Sequence, residues 1–388
     1  MTAGLLDRYQ VTMMNAFGTP KRVFVRGEGV YLWDAEGRRY TDLLAGIAVN
    51  SLGHAHPAVL GAIQEQLGRL GHISNFFASE PQIRLAERLA AAAGGGKVFF
   101  TNSGTEANEA AFKLTRLTGR TRIVAMEDSF HGRTMGALAI THTPKYRSPF
   151  EPLPGEVVFV PYGDAEALAA AVDDRVAAVV VEPIQGEAGV MPTPDGFLAA
   201  AREITRRRGA LLWVDEVQTG IGRTGELLLS RASGVTADLI TVAKGLGGGF
   251  PIGACIATGE AAELLTPGTH GTTFGGNPVA AAAGNAVLDA LEAGVLDNAR
   301  RVGAWLADEI GRLRHPDIQG IRGEGLLRGL VLARDVAPQL AELALEDGWV
   351  LNAPRPGVVR IAPPLIITEE QLAPFVTALP EWLERSGG

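Results

Sequence analysis

Five short, nearly continuous apolar runs constrain the fold of this chain more than any other feature. Helical patterns such as "PDGFLAAAREITRRRG" separate them. Strands of a parallel sheet have this composition, because helices cover the sheet on both faces. The runs are "KVFFTN", "RIVAME", "AAVVVEP", "ALLWVDE" and "LITVAKG". The pattern predicts an α/β fold with a mainly parallel sheet between helices.

The pattern changes twice along the 388 residues, which are too many for one simple core. Residues 1–50 contain "VFVRGEGVYLWDAEGRRYTDLL", whose apolar runs are broken at glycines and predict a β-meander. Residues 51–275 carry the alternating pattern, and residues 276–388 carry an Ala-rich helix, mixed strands and a closing helix. We therefore expect a large domain, a smaller C-terminal α+β domain, and an N-terminal segment packed with the small domain.

Composition and charge exclude several classes of protein. Acidic residues outnumber basic ones by 43 to 35, and the net charge of -8 argues against a general nucleic-acid binder. The sequence shows neither a secretory signal pattern nor an apolar run of membrane-spanning length, so we expect no membrane association. The one cysteine, Cys255, is typical of a reducing cytoplasm, and its apolar neighbours predict a buried, inert thiol.

Polar residues follow the apolar runs where each predicted strand ends. In open α/β sheets, ligands bind beyond the carboxyl ends of the strands. An aromatic residue, acids and a lysine therefore meet at one predicted edge. These strand-end residues are Phe130, His131, Arg133, Glu182, Asp215 and Lys244.

The first of these strand ends also predicts an anion site. Ser103, followed by Glu106, has the spacing of a capping box at the start of a helix. The backbone N–H groups of Gly104 and Thr105 would then point out of the helix N-terminus, which suits a phosphate group.

A lysine, an acid and a phosphate site at one edge of a sheet together match the chemistry of pyridoxal 5′-phosphate. A buried lysine such as Lys244 can form a Schiff base with the aldehyde. A carboxylate such as Asp215 can keep the pyridine nitrogen protonated, which makes the ring an electron sink. From the residues alone, an ion pair between Asp215 and an arginine remains an alternative, as does a regulatory protein that binds phosphate. His54 and His56 are too weak a pair to predict a metal site, so we expect no metal.

Eight motifs, in order and spread over nearly the whole chain, resemble the class III aminotransferases of fold type I. Within that family they are most similar to the bacterial N-acetylornithine aminotransferases. The resemblance implies a fold type I large domain and a dependence on pyridoxal 5′-phosphate. The motifs are "GIAVNSLGHAHP", "SGTEANEAAFKL", "FHGRTMG", "EPIQGEAGV", "DEVQTGIGRTG", "AKGLGGGFPIGA", "TPGTHGTTFGGNP" and "VRIAPPLII".

The resemblance implies a role for each residue around the cofactor ring. Lys244 is similar to the lysine that forms the Schiff base and moves the proton between substrate and cofactor carbons. Asp215 is similar to the partner of the pyridine nitrogen, and Gln218 to the contact of the ring hydroxyl. Phe130 would stack on one face of the ring and Val217 would pack on the other.

The resemblance also implies contacts at the phosphate group. Ser103, Gly104 and Thr105 match the phosphate-binding loop, and His131 lies beside the stacking aromatic. Thr273 matches a threonine that reaches the phosphate from the neighbouring subunit. The resemblance therefore implies a homodimer with shared active sites.

Substrate contacts follow from the same resemblance. Arg133 is similar to the arginine that holds the far carboxylate of the acylated substrate, and Arg360 to the fork for the α-carboxylate of 2-oxoglutarate and glutamate. Glu187 is similar to the acid that pairs with Arg360 when the amine substrate is bound. Thr272 would be a further contact. A segment that would line the acyl pocket contributes Ser74, Asn75 and Phe76.

The implied reaction moves the δ-amino group of N2-acetylornithine to 2-oxoglutarate, in arginine biosynthesis. "GEAG" at residues 186–189 is frequent in ornithine δ-aminotransferases, whereas "GHISNFFASEP" matches the acetylornithine group. Alternatives are therefore an ornithine δ-aminotransferase, and a succinyldiaminopimelate, acetyl-lysine or carrier-linked aminotransferase of lysine biosynthesis. A 4-aminobutyrate aminotransferase fits less well.

Overall fold

The computed structural model describes residues 2–387, and this range contains three larger sheets and one two-stranded ribbon. The strands are β1 (Phe24–Glu28), β2 (Tyr31–Asp34), β3 (Arg39–Asp42), β4 (Lys97–Thr101), β5 (Arg122–Met126), β6 (Glu156–Val160), β7 (Val176–Val181), β8 (Ile184–Gln185), β9 (Met191–Pro192), β10 (Leu211–Asp215), β11 (Leu239–Val242), β12 (Gly253–Ala257), β13 (Ile318–Glu324), β14 (Leu327–Leu332), β15 (Trp349–Val350), β16 (Asn352–Arg355) and β17 (Val358–Ile361).

Helices cover the sheets and connect most of the strands. The α-helices are α1 (Thr2–Thr12), α2 (Ala45–Ala48), α3 (Pro57–Arg69), α4 (Glu80–Ala93), α5 (Gly104–Arg116), α6 (Met135–Ala139), α7 (Pro144–Arg147), α8 (Ala165–Ala171), α9 (Phe197–Arg208), α10 (Leu229–Ala232), α11 (Pro278–Ala290), α12 (Leu296–Arg312), α13 (Ala337–Glu346) and α14 (Glu369–Arg385). Three short 3-10 helices and one π-helical turn complete them: Ser148–Phe150, Lys244–Gly247, Gly259–Glu263 and Leu291–Val295.

The central sheet has seven strands in the order β4-β12-β11-β10-β7-β5-β6. Strands β11, β10, β7, β5 and β6 pair in parallel, whereas β12 is antiparallel to both of its neighbours. Every residue of β7, β11 and β12 is buried. This burial explains the continuous apolar runs, because helices pack on both faces of the sheet. The predicted α/β fold with a mainly parallel sheet is confirmed.

The five predicted strands are β4, β5, β7, β10 and β11 of this sheet. The apolar runs that form β6 and β12 were not predicted to be strands. Cys255 lies on β12 and is buried, and burial raises the pKa of its thiol to about 12. The thiol is therefore protonated at neutral pH, in agreement with the inert thiol predicted from the sequence.

Two smaller sheets lie at the two ends of the chain. The N-terminal sheet pairs β1, β2 and β3 as the predicted antiparallel meander, and β15 joins β3 in parallel. The C-terminal sheet has the order β13-β14-β17-β16 and is antiparallel throughout. Pairing between β3 and β15 therefore ties the beginning of the chain to its C-terminal part.

The Ala-rich run predicted to be a helix forms α11, which continues through the π-helical turn into α12. The combined helix, Pro278–Arg312, has the length and mean hydropathy that a membrane-spanning helix needs. This was not anticipated from the sequence, which predicts no apolar run of that length. Half of its most apolar 18-residue window is buried inside the fold. Such burial is typical of the core helix of a folded domain.

Candidate active site

Asp215 is the last residue of β10, and its carboxylate is held by three donors. The side-chain amide of Asn108 donates to Oδ2 at 2.8 Å, and the backbone N–H of Val217 donates to Oδ1 at 2.9 Å. Nδ1 of His131 lies 2.7 Å from the same Oδ2. Within residues 2–387 no arginine pairs with Asp215, so the alternative of an arginine ion pair is wrong. A buried carboxylate held this firmly is suited to face a cationic ring nitrogen.

His131 is fully enclosed beside Asp215. Burial opposes its protonation, but the hydrogen bond and the charge of Asp215 outweigh burial and raise the pKa of His131. Its Nε2 atom is buried and has no hydrogen-bond partner within the described part of the chain. The histidine therefore holds the carboxylate of Asp215 in place and leaves its cavity side available to another cation.

Glu182 adds a second buried acid to the same place. It follows β7, and Oε1 accepts the backbone N–H of Phe130 at 3.0 Å. Burial raises the pKa of Glu182 to about 7, although the charge of His131 opposes that shift. The bond to the backbone of Phe130 fixes the turn that carries the aromatic side chain.

The start of α5 provides the anion site that the sequence predicts. Ser103 is the N-cap, and its Oγ accepts the backbone N–H of Glu106 at 3.3 Å. The predicted capping box is only half correct, because the carboxylate of Glu106 accepts the backbone N–H of Asn102 at 2.8 Å instead of that of Ser103. The N–H groups of Gly104 and Thr105 in the first turn have no acceptor within residues 2–387. They remain available to a phosphate group.

Gly104 has a second, steric role. A Cβ atom at this position would lie 2.6 Å from Cγ1 of Val217. Glycine therefore allows Val217 to pack directly on the start of the helix. The contact brings the turn after β10 against the anion site, so Asp215 and the helix N-terminus face one cavity.

Lys244 follows β11 and begins a short 3-10 helix with a left-handed backbone, φ 43°. Burial lowers the pKa of its amine to about 8, although the charge of Glu187 opposes that shift. No side chain among the described residues hydrogen-bonds to its Nζ. A buried amine with a lowered pKa is a suitable nucleophile for an aldehyde.

These groups surround one cavity of about 240 Å³. Its lining combines the free helix N-terminus, an aromatic ring, the carboxylate of Asp215 and the amine of Lys244. This donor set fits pyridoxal 5′-phosphate, which has a phosphate, a flat ring, a basic nitrogen and an aldehyde. The lining residues are Gly104, Thr105, Asn108, Phe130, His131, Gly132, Arg133, Glu182, Glu187, Asp215, Val217, Gln218 and Lys244.

Arg360 lies on β17 beside this cavity and is fully buried. Its Nη1 atom lies 2.5 Å from Oε1 of Glu187 and donates to Oε1 of Gln218 at 3.1 Å, while Nε donates to Asn352 at 3.2 Å. Burial opposes ionisation of Glu187, but the charge of Arg360 outweighs it and lowers the pKa of that carboxyl. Nη2 of Arg360 is buried without a partner in the described chain, so one edge of the guanidinium keeps an unused donor.

Apart from the N-cap Ser103 and the neighbouring Arg360, five sequence-predicted site residues do not line the cavity of Lys244. They line a separate cavity of about 850 Å³ and are Ser74, Asn75, Phe76, Thr272 and Thr273. The side-chain amide of Asn75 donates to the backbone oxygens of Thr272 at 3.2 Å and Gly275 at 3.1 Å, which joins the two segments. The side chain of Phe76 is 92% exposed, unusually so for a large apolar residue.

Comparison with known proteins decides the family. The sequence pattern of the family described as "Aminotransferase class-III" matches residues 13–383. The chain belongs to the class III aminotransferases. It is therefore an enzyme that depends on pyridoxal 5′-phosphate, which agrees with the donor set of the cavity.

Individual relatives cover the chain from end to end. It is 56% identical over 391 residues to a protein of Mycobacterium tuberculosis named acetylornithine aminotransferase, covering 100% of this chain and 98% of that protein. The crystal structure of N-acetylornithine aminotransferase from Stenotrophomonas maltophilia has a TM-score of 0.84 and 36% identity, covering 98% of each chain. An ornithine aminotransferase from Toxoplasma gondii, whose active site is partly occupied by PLP, has a TM-score of 0.94 and 31% identity and covers 100% of this chain and 96% of that one. Both structures share the fold of this class III aminotransferase.

Three polar residues of the site were not assigned from the sequence. Asn108 lies one helical turn after Gly104, a spacing that places both on one face of α5 and could have indicated it. Glu182 was noted at a strand end but received no role. Asn352 gave no local signal, because only the pairing of β16 with β17 brings it opposite Arg360.

Proposed function

We propose that this class III aminotransferase moves the δ-amino group of N2-acetyl-L-ornithine to 2-oxoglutarate in a ping-pong reaction. The products are N-acetyl-L-glutamate 5-semialdehyde and L-glutamate, and the reaction belongs to arginine biosynthesis. The observation that carries the proposal is the ion pair of Arg360 with Glu187 beside the cavity of Lys244. The names of relatives at 50–56% identity support the acylated amine as the donor.

Residues that face the cavity would hold the cofactor. The N–H groups of Gly104 and Thr105 would donate to its phosphate, and Asp215 would face its ring nitrogen. Phe130 and Val217 would pack against the ring. Gln218 would contact the ring hydroxyl, and its Oε1 already accepts a hydrogen bond from Arg360.

When bound, pyridoxal 5′-phosphate withdraws electrons from the substrate carbon that carries the amino group. Nζ of Lys244 accepts the proton that this carbon loses and later returns it. Burial lowers the pKa of Lys244 to about 8, so part of the amine is neutral near physiological pH and can accept a proton. Asp215 keeps its charge opposite the ring nitrogen with the support of His131 and Asn108.

The two arginines explain how one cavity accepts two different substrates. A diacid such as 2-oxoglutarate needs a guanidinium at each end, and guanidinium binds carboxylate through paired hydrogen bonds. Arg360 takes the α-carboxylate and Arg133 takes the far carboxylate. When the amine donor is bound, Glu187 shields Arg360, so the carboxylate of the donor binds only at Arg133.

We also propose that the active enzyme is a cytoplasmic homodimer. Phe76 lines the second cavity and is 92% exposed. Phe77 and Phe274, which adjoin lining residues in the sequence, are 66% and 57% exposed, and exposed apolar residues of this kind are suited to a subunit interface. Thr273 would reach the phosphate of the partner subunit, and Thr272 would contact its substrate. Ser74, Asn75 and Phe76 would lie at the acyl end of the partner's pocket. The division into domains at residues 1–50, 51–275 and 276–388 also remains a proposal.

A single-turnover experiment tests the function. The cofactor-loaded enzyme is mixed separately with N2-acetylornithine and with free ornithine, and the decay of its visible absorption is followed. Much faster decay with the acetylated amine is the expected result. Faster decay with free ornithine would instead make the enzyme an ornithine δ-aminotransferase.

A further inference from the structure

Arg133 differs from Arg360 in how its side chain is held. It lies at the exposed rim of the cavity and forms no hydrogen bond or ion pair with any side chain within residues 2–387. Two aromatic rings lie close to its guanidinium instead. The guanidinium carbon lies 3.4 Å from the ring centroid of Tyr146 and 5.5 Å from that of Phe130.

The ring of Tyr146 is itself well placed for this contact. Tyr146 belongs to the short helix α7, and its backbone N–H donates to the oxygen of Thr143 at 3.0 Å. Its ring meets that of Phe130 edge to face, with centroids 6.3 Å apart and planes at 86°. The backbone of Phe130 is in turn fixed by Glu182 at 3.0 Å. The stacked guanidinium is thus connected to the wall of the cofactor cavity.

An aromatic face can orient a guanidinium without using its donors. The attraction acts through the ring quadrupole, so the N–H groups in the guanidinium plane stay free. A carboxylate from the chain would orient Arg133 as well, but it would compete with the substrate carboxylate for those N–H groups. Stacking therefore suits an arginine that must bind a carboxylate in both half-reactions.

We propose that Tyr146 is a positioning residue for substrate recognition, whose ring face orients the guanidinium of Arg133 toward the far carboxylate of the substrate. The inference deepens the proposed function and rests on its assignment of Arg133. The hydroxyl of Tyr146 has no part in this role, because the contact is made by the ring face. Loss of the ring should therefore weaken carboxylate binding without changing the chemistry at Lys244.

Three variants of the holoenzyme separate this role from a general structural one. Tyr146→Leu removes the ring face, and Tyr146→Phe keeps it. Tyr31→Leu is the matched control, because Arg39 lies 4.6 Å over the ring of Tyr31 in another arginine–tyrosine stack that does not line this cavity. If Tyr146→Leu does not fold, Tyr146→Met repeats the test.

Two measurements are made on each variant. Calorimetry gives the dissociation constant of glutarate, a diacid that cannot be transaminated. Steady-state kinetics gives kcat and KM for N2-acetylornithine and for N-acetyl-1,4-diaminobutane, the same donor without its carboxylate. For Tyr146→Leu we expect the glutarate dissociation constant and the KM of N2-acetylornithine to rise about two- to fivefold, the worth of a partly exposed cation–π contact. The kcat, the KM of the carboxylate-free donor and all values for Tyr146→Phe and Tyr31→Leu should stay at the wild-type level.

The outcomes distinguish this inference from the proposed function. Wild-type glutarate binding in Tyr146→Leu would overturn the inference, as would an equal rise of KM for both donors. If the wild-type enzyme does not turn over N2-acetylornithine, the proposed function fails, whereas glutarate binding still tests the role of Tyr146.

Discussion

Replacement of Glu187 by glutamine should free Arg360 and shift the enzyme toward its keto acid substrate. In the structure, the carboxylate of Glu187 lies 2.5 Å from Nη1 of Arg360. In the proposed reaction, 2-oxoglutarate would have to displace it. Glutamine has nearly the same shape but no charge, so that competition ends. The buried guanidinium keeps acceptors in Gln218 at 3.1 Å and Asn352 at 3.2 Å, which support it in the variant.

The size of the effect follows from the burial of the two partners. The side chain of Arg360 is 1% exposed and that of Glu187 is 36% exposed. Exposed ion pairs contribute at most about 1 kcal/mol, whereas removal of one partner from a fully buried pair costs about 3–5 kcal/mol. Solvent reaches one partner here. We therefore expect the loss of the Glu187 charge to strengthen binding of 2-oxoglutarate by about 1–2 kcal/mol, or about a five- to thirtyfold change in its dissociation constant.

Single-turnover kinetics in each direction measures this change. In Glu187→Gln, the dissociation constant of 2-oxoglutarate should fall by that factor. The half-reaction with N2-acetylornithine should become slower, because Arg360 now competes for the carboxylate of the donor. Glu156→Gln is the control, since Glu156 forms a 2.5 Å pair with Arg122 at comparable exposure and away from the cavity. Unchanged or weaker binding of 2-oxoglutarate in Glu187→Gln would refute the shielding role.

Three further variants test other parts of the site. Lys244→Ala should lose turnover but still bind the cofactor non-covalently, as mass spectrometry and absorption would show; normal turnover would exclude the assigned role. Arg360→Ala should slow the 2-oxoglutarate half-reaction more than the N2-acetylornithine half-reaction, and equal damage to both would contradict its assignment. Burial raises the pKa of Glu182 from its ordinary value of 4.5 to about 7, so its contribution to stability is complete below pH 4.5 and is lost as the pH rises to about 7. The melting temperature of the wild type should therefore fall relative to that of Glu182→Gln across this interval. The same pH dependence of the melting temperature in both proteins would contradict this prediction.

Local patterns predicted four of the five parallel strands of the central sheet, all except β6, and the edge where the site lies. Residues such as Asp215 and Lys244 converge there because parallel strands end at the same edge, and this follows from their position after apolar runs. The place of β12 could not be predicted in the same way. Its residues look like any buried strand, and only long-range pairing with β4 and β11 makes it antiparallel.

The parts of the site that escaped prediction depend on contacts between distant segments. Asn352 meets Arg360 only through strand pairing, and Tyr146 meets Arg133 only because α7 folds back over the turn that carries Phe130. Thr272 and Thr273 line another cavity of the same chain, so their proposed role needs a second subunit. Sequence motifs could indicate residues that line the cavity of Lys244, but not the residues that hold them in place.

The two arginines proposed to bind substrate show how burial determines the partner that an arginine needs. Arg360 is buried, where a guanidinium without a counter-charge is costly, so the fold supplies Glu187, which in the proposed reaction releases it when a diacid binds. Arg133 lies at the exposed rim, where water already stabilises the charge and only orientation is required. An aromatic face provides orientation and leaves every N–H donor free. In the proposed reaction, one arginine is therefore switched between half-reactions while the other stays ready in both, which is what alternation between an amine donor and a diacid demands.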